Sequence, residues 1–277
     1  MDSITFGQVE VSISGRVLIA ENVNISENNS VTPNYSIGYI NPIDYTPAGG
    51  IKNSIEISYI LTPYTPTFGS ATDAILYSIL PSLKNYQQIY QPTQISVGGI
   101  TGSGYLESYS LNFTPNERIK ASVNFLCFNE LSGDVNAPLV NINPQYGFGH
   151  YWTSYVIMNN NITGSIIRMN YSFKTNWEPQ YVIGNSNPVQ IILESSEEHI
   201  SFDSELMTHI LFSGEELQNT KNNNLNLLSI TNLFLLGRGT GFISIDIPLT
   251  GFIINSNRTN GSVDNIVTMT TEASKYY

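Results

Sequence analysis

The chain contains itself twice. When the sequence is shifted by 146 positions (179 − 33), Pro33, Tyr35, Ile37, Gly38, Asn41 and Pro42 fall on Pro179, Tyr181, Ile183, Gly184, Asn187 and Pro188 without a gap. Upstream, Asn24 and Ser26 meet Asn170 and Ser172, with Val23 and Ile25 answered by Met169 and Tyr171. One deletion later, Ile55, Ile57 and Ser58 stand against Ile200, Phe202 and Asp203. Internal repetition constrains a fold more than composition does, because each copy has to be a folding unit. At roughly 140 residues per copy the unit is domain-sized. The expectation is a tandem of two like domains, residues 1–142 and 143–277.

Within each copy the pattern is that of strands. Val9, Val11 and Ile13 alternate up to Gly15, and a second apolar stretch, Val17-Leu18-Ile19, follows. Ile55, Ile57, Tyr59 and Leu61 share one face while Ser54, Glu56 and Ser58 share the other, the period of a half-buried strand. Tyr105 to Phe113 and Ile119 to Phe128 flank Thr114-Pro115-Asn116-Glu117, so they read as a hairpin. Its looser counterpart runs from Gly251 to Asn257 and from Val263 to Thr271. Ser70-Ala71-Thr72-Asp73 and Ser213-Gly214-Glu215-Glu216 share the S-x-x-[DE] form, in which the Ser caps the first turn and the acid faces the positive helix end. A short helix over Ala71 to Leu80, ended by Pro81, is therefore expected in the first copy, with a less regular one in the second. The fold class is mainly β, a sandwich or half-barrel with a short helix, duplicated in tandem.

Chemistry is thinly signalled. His150, His199 and His209 never take an H-x-x-x-H spacing, and Glu197-Glu198-His199 reads as a solvated charge run at a strand entrance. Gly98-Gly99-Ile100-Thr101-Gly102-Ser103-Gly104 lacks the Lys-Ser/Thr ending of a phosphate loop and is followed by a strand, so it reads as a turn or bulge, as does Gly237-Arg238-Gly239-Thr240-Gly241. Cys127 is the single cysteine and shares a face with Val123 and Phe125, a core position. No catalytic, cofactor-binding or metal-binding residue is assigned, and no enzyme is expected.

Charge narrows the partners. Asp and Glu number 22 against 11 Lys and Arg, a net charge of −11, which disfavours a protein that grips phosphates and suits a wall past which nucleic acid slides. Charged residues make up only 12% of the chain, so much of the surface is expected to be covered by neighbours. Met1-Asp2-Ser3-Ile4-Thr5 shows no basic stretch ahead of an apolar one, and the most apolar run, Leu225 to Leu236, is broken by Asn226 and Asn232. Synthesis in a cytoplasm without membrane insertion is expected. Between two strands, Gly38 to Gly50 carries Pro42, Ile43, Tyr45, Pro47 and Gly49, apolar residues stiffened by proline. Such a loop either folds back on its own domain or is offered to another subunit.

The order of these features, with the phrases Pro33-Asn34-Tyr35-Ser36-Ile37-Gly38 and Tyr109-Ser110-Leu111-Asn112-Phe113-Thr114-Pro115-Asn116, resembles the tail-tube fold of bacteriophage tails and related contractile injection systems. The resemblance covers both halves and is one of pattern. It implies sheets that join around a ring, a loop reaching a neighbouring ring, and no catalytic residue. It implies self-assembly into a hexameric or trimeric pseudo-sixfold ring, other phage tail proteins as partners, DNA only as passing cargo, and a place in the virion tail after synthesis in a bacterial host. Simple tube proteins carry one such domain, so the two copies here also suit a baseplate, hub or tail-completion ring. The rival reading is a carbohydrate-binding β-sandwich of a virion or cell surface, in which Trp152, Tyr155 and Trp177 stack on sugars.

Overall fold

The structure is a computed structural model that describes residues 2–27, 31–38, 40–47, 50–60, 91–113, 120–135, 155–158, 161–183, 185, 187–205, 228–236, 239–247, 253–260 and 268–276. Every regular element among them is a strand. The first, β1 (Asp2–Ile13), folds back on β2 (Arg16–Glu27) through Ser14 and Gly15, whose φ values of 50° and 77° suit the left-handed two-residue turn of a twisted hairpin. There follow β3 (Val31–Asn34), β4 (Asp44–Pro47), β5 (Asn53–Ile60), β6 (Thr93–Val97), β7 (Ile100–Phe113) and β8 (Lys120–Cys127). Six of these close a barrel in the order β1-β2-β5-β8-β7-β6 and back to β1, every pair antiparallel. Closure leaves no edge strand in this circuit. Alternation decides what fills it: Val9, Val11, Ile13, Val23, Ile25, Ile55, Ile57, Val123 and Phe125 all point inward and are buried.

In the second half come β9 (Tyr155–Met158), β10 (Asn161–Gln180), β11 (Gln190–Glu205), β12 (Leu228–Leu236), β13 (Gly239–Ile247), β14 (Ile253–Asn260) and β15 (Thr268–Tyr276). β12 and β13 pair with each other, β9 pairs with β10, and the rest continue the barrel's own sheet in the order β7-β10-β11-β15-β14. The junction lies on β7. One edge of β7 pairs with β8, while the other is shared, Ile100–Gly104 going to β6 and Ser108–Phe113 to β10.

The ladders of the two halves coincide in register. Val23↔Ile57 and Ile25↔Ile55 in β2–β5 become Met169↔Phe202 and Tyr171↔Ile200 in β10–β11, shifts of 146 and 145. Pro33↔Tyr45 and Asn34↔Asp44 become Pro179↔Ile191 and Gln180↔Gln190, a shift of 146 on both strands. Ile57↔Val123 becomes Phe202↔Thr271, and Ser108↔Asn124 becomes Ser256↔Glu272, with β7 and β8 both shifted by 148. Even the irregularity recurs, since the register slips past Glu107 in β7 and past Asn255 in β14, also 148 apart.

Several expectations need correction. The phrase Tyr35 to Gly38, which the sequence reads as a strand with Tyr181 at the matching place of the second half, is not strand: β3 ends at Asn34, so Tyr35 and Tyr181 each open a loop. Conversely Tyr45 and Pro47, read as loop, belong to β4. In the glycine run only Gly98 and Gly99 form the turn, with φ values of 53° and 90°. Gly102 and Gly104 lie within β7, where a missing Cβ lets Leu131, Cys127 and Phe125 pack against the strand. Glu198 is buried rather than solvated, because alternation in β11 turns it inward with Ser196 and Ile200. The helices expected at Ala71 to Leu80 and after Ser213 lie outside the described residues, as does the 114–117 turn.

Candidate functional site

Two loops stand out, and they close alike. Residues 35–43 connect β3 to β4, and residues 181–189 connect β10 to β11. In the first, the Ile43 amide donates to the Asn34 carbonyl at 2.9 Å; in the second, the Val189 amide donates to the Gln180 carbonyl at 2.9 Å. Each partner is 146 positions from its counterpart. The tips repeat the exposure of an apolar residue: Ile37 and Ile183 are as exposed as in an extended chain, at 103% and 106%. Ile40, Ile43, Val182 and Val189 are exposed beside them. Singly exposed apolar residues need no explanation, whereas clusters of them are candidates for a contact surface. Gly38, with φ of 90°, supplies the left-handed residue that turns the first loop after Ile37.

Of the expected assembly residues, Pro42 is half-buried and Ile43 exposed, both in this loop. Tyr45 and Pro47 stand opposite Pro33 and Val31 in the β3–β4 ladder, and Gly49 lies outside the described residues. Tyr35, Ile37 and Ile183 are exposed in these loops as well, although the sequence reading did not single them out; their signal was the recurrence of Tyr and Ile at matching places of the two phrases.

The loops differ in one respect. Tyr181 is 38% exposed and Tyr35 63%. The Tyr181 hydroxyl donates to the Ile51 carbonyl at 3.3 Å, and its ring lies on Gly50 so closely that a Cβ there has no room. Burial raises the pKa of the Tyr181 phenol. The second loop is thus docked on the first half, across the junction of β7 and β10.

That junction is a built interface. Tyr109, Leu111, Met169, Tyr171 and Phe173 are all fully buried along it, and the Tyr109 and Tyr171 rings meet edge to face at 6.4 Å. Where the Glu107 bulge interrupts the β7–β8 ladder, the Leu106 carbonyl accepts from Trp177 Nε1 at 2.7 Å and from Thr175 Oγ1. Trp177 also packs at a tilt against Tyr105, ring centres 4.8 Å apart, and is buried, so this indole is a structural anchor rather than a sugar platform.

The opposite face of the sheet is polar and rich in hydroxyls. Ser26 and Ser54 share a hydrogen bond of 2.6 Å, Ser58 donates to Ser122, and Thr270 donates to Asp203 at 2.6 Å. A depression of about 150 Å³ on it is lined by Ser172, Lys174, Glu197 and His199. His199 Nδ1 lies 3.1 Å from Ser274 Oγ, an apparent Ser–His pair. Ser274 is 1% exposed and Asn255 donates to the same oxygen at 2.7 Å, so the hydroxyl ties three strands together and is closed to substrate. Cys127 is likewise sealed, its thiol pushed up to about 12 by burial. No group of His, Cys, Asp or Glu suited to a metal ion is found among the described residues. No known family model matches the chain, and no curated protein matches it in sequence.

Proposed function

We propose that the chain is a ring-forming structural component of a bacteriophage tail, a tube, baseplate or tail-completion ring. It is built from two copies of one tail-tube-like β unit and lets DNA pass without holding it. The observation that carries this reading is the junction. Two units with matching ladder registers are joined edge to edge by antiparallel strands, so the sheet of one runs into the sheet of the next. An arrangement that joins unit to unit by rotation extends to a ring when the rotation closes. The charge supports passage rather than grip, since the whole chain carries −11.

Electron microscopy of the purified protein tests the reading directly. Rings or filaments with a central opening are expected; a persistent monomer with affinity for glycans would replace it with a carbohydrate-binding role.

A further inference from the structure

We propose that the chain joins a second copy of itself by adding β14 to the edge of β2, and that the copy's own stretch Asp2–Gly7 closes this edge until it is displaced. The proposal rests on the ring reading and adds to it a seam, a register and a plug.

The seam is read from the one inside the chain. There β7 pairs with β10, Asn112 opposite Asn170 and Ser110 opposite Ser172. The matching ladders put β14 where β7 stands, 148 positions on, and β2 where β10 stands, 146 positions back. Applying both shifts sets Asn260 opposite Asn24 and Arg258 opposite Ser26 of the second copy. Both edges fit. Among the described residues β14 pairs only with β15, so its other edge is a template for another strand. The faces agree too, since Arg258 is exposed and Ser26 lies on the polar face beside Ser54, as Ser110 and Ser172 do in the existing seam.

The acceptor edge differs between the halves. Along β10, Met169–Lys174 takes the neighbouring unit's β7, and only Asn161–Ser165, next to the hairpin, pairs with β9. Along β2, the corresponding stretch is filled by the chain's own Asp2–Gly7. The second half therefore displays the joined state and the first half the self-closed one. Exchange of one antiparallel partner for another conserves ladder hydrogen bonds, so the gain has to come from side chains. Tyr35 supplies one: Tyr181 covers Gly50 and Ile51 of the adjoining unit, whereas its counterpart Tyr35 is left 63% exposed. On joining, Tyr35 comes beside Ser195 and Ser196 of the other copy, the positions matching Gly50 and Ile51 at a shift of 145; Ser195 carries the Cβ that Gly50 lacks, so the ring sits beside this strand rather than directly on it as Tyr181 does. The anchor at Trp177 is not repeated, since its counterpart is Val31, which makes this seam weaker than the internal one.

Three cysteine variants of the full chain test it. S26C/R258C is expected to give disulfide-linked multimers on mild oxidation, and E27C/R258C, one step out of register, is not. S3C/S26C joins two residues paired across β1 and β2; oxidised it is expected to stay monomeric, and reduced to assemble. Rings that form while S26C/R258C remains unlinked overturn the seam and leave the ring reading standing. Equal assembly of oxidised and reduced S3C/S26C overturns the plug, as does a disulfide that fails to form there. A chain that stays monomeric in every state overturns the ring reading and this proposal with it.

Discussion

Inside the barrel Gly104 lies against Phe125 and Cys127 so closely that an added Cβ would stand 2.9 Å from both. Neither neighbour is a flexible chain end, so overpacking here has to move a strand. Gly104→Ala is expected to lower stability by about 1–3 kcal/mol, read as a lower urea midpoint with an unchanged slope. Cys127 makes a prediction in pH. Its folded thiol loses its proton near pH 12, while an unfolded one does so near about 8.5. Between those values the unfolded chain holds fewer protons, so the stabilisation is complete below about pH 8.5 and lost as pH rises toward 12, at most about 1.4 kcal/mol per pH unit. Urea midpoints of the native chain and of Cys127→Ala should therefore converge as pH rises through this window. A gap that stays constant with pH would show that the thiol is not sealed.

At the scale of elements, the paired loops are closed by backbone hydrogen bonds at their bases and exposed where the side chains emerge. The Ile43 and Val189 amides hold the loop bases, and these bonds survive any side-chain change. Ile37 and Ile183 project fully, so charging them leaves the fold alone and disrupts only an apolar contact. Ile37→Asp with Ile183→Asp is expected to raise the concentration needed for assembly at least about tenfold, the effect of about 1.4 kcal/mol, with an unaltered far-ultraviolet circular dichroism spectrum. Ile43→Asp with Tyr45→Asp is expected to abolish multimers in the same assay, also with the monomer's spectrum retained. Sedimentation profiles identical to the native chain in both pairs would remove the loops from the interface.

For the whole molecule, the two halves are unequal. Residues 1–142 hold the entire closed barrel, so as a fragment they are expected to unfold cooperatively while exposing the Ser108–Phe113 edge of β7. Residues 143–277 leave the Met169–Lys174 edge of β10 open, together with the apolar side chains that meet Tyr109 and Leu111. Mixing the fragments is expected to restore a stable one-to-one complex, detectable by size-exclusion chromatography. Two fragments that fold and never associate would mean that the junction contributes little. Net charge acts at this scale as well: copies carrying −11 repel, so assembly should be favoured as salt rises from about 0.02 to 0.2 M. Duplex DNA should show no retention across that range.

Alternation along Val9 to Ile13, Ile55 to Tyr59 and Ala121 to Phe125 announced the strands and which face of each is buried, because a period of two leaves one face for water. The repeat set Val23 against Met169 and Ile57 against Phe202, and the strand pair Val23↔Ile57 has its like in Met169↔Phe202. The step of three from Leu106 to Tyr109, where strict alternation sets buried positions two apart, coincides with the bulge at Glu107. The hairpin of β7 and β8 was legible from its turn, but which neighbour the other strands take was not, since backbone donors and acceptors are alike on every edge and pairing is settled by competition among distant segments. Only the tertiary structure decided that Asp2–Gly7 fills the edge of β2 while β7 fills that of β10, that Tyr181 is docked and Tyr35 is not, and that Glu198 turns inward. Local pattern sets which side of a strand is dry; the order in which edges find partners sets the molecule.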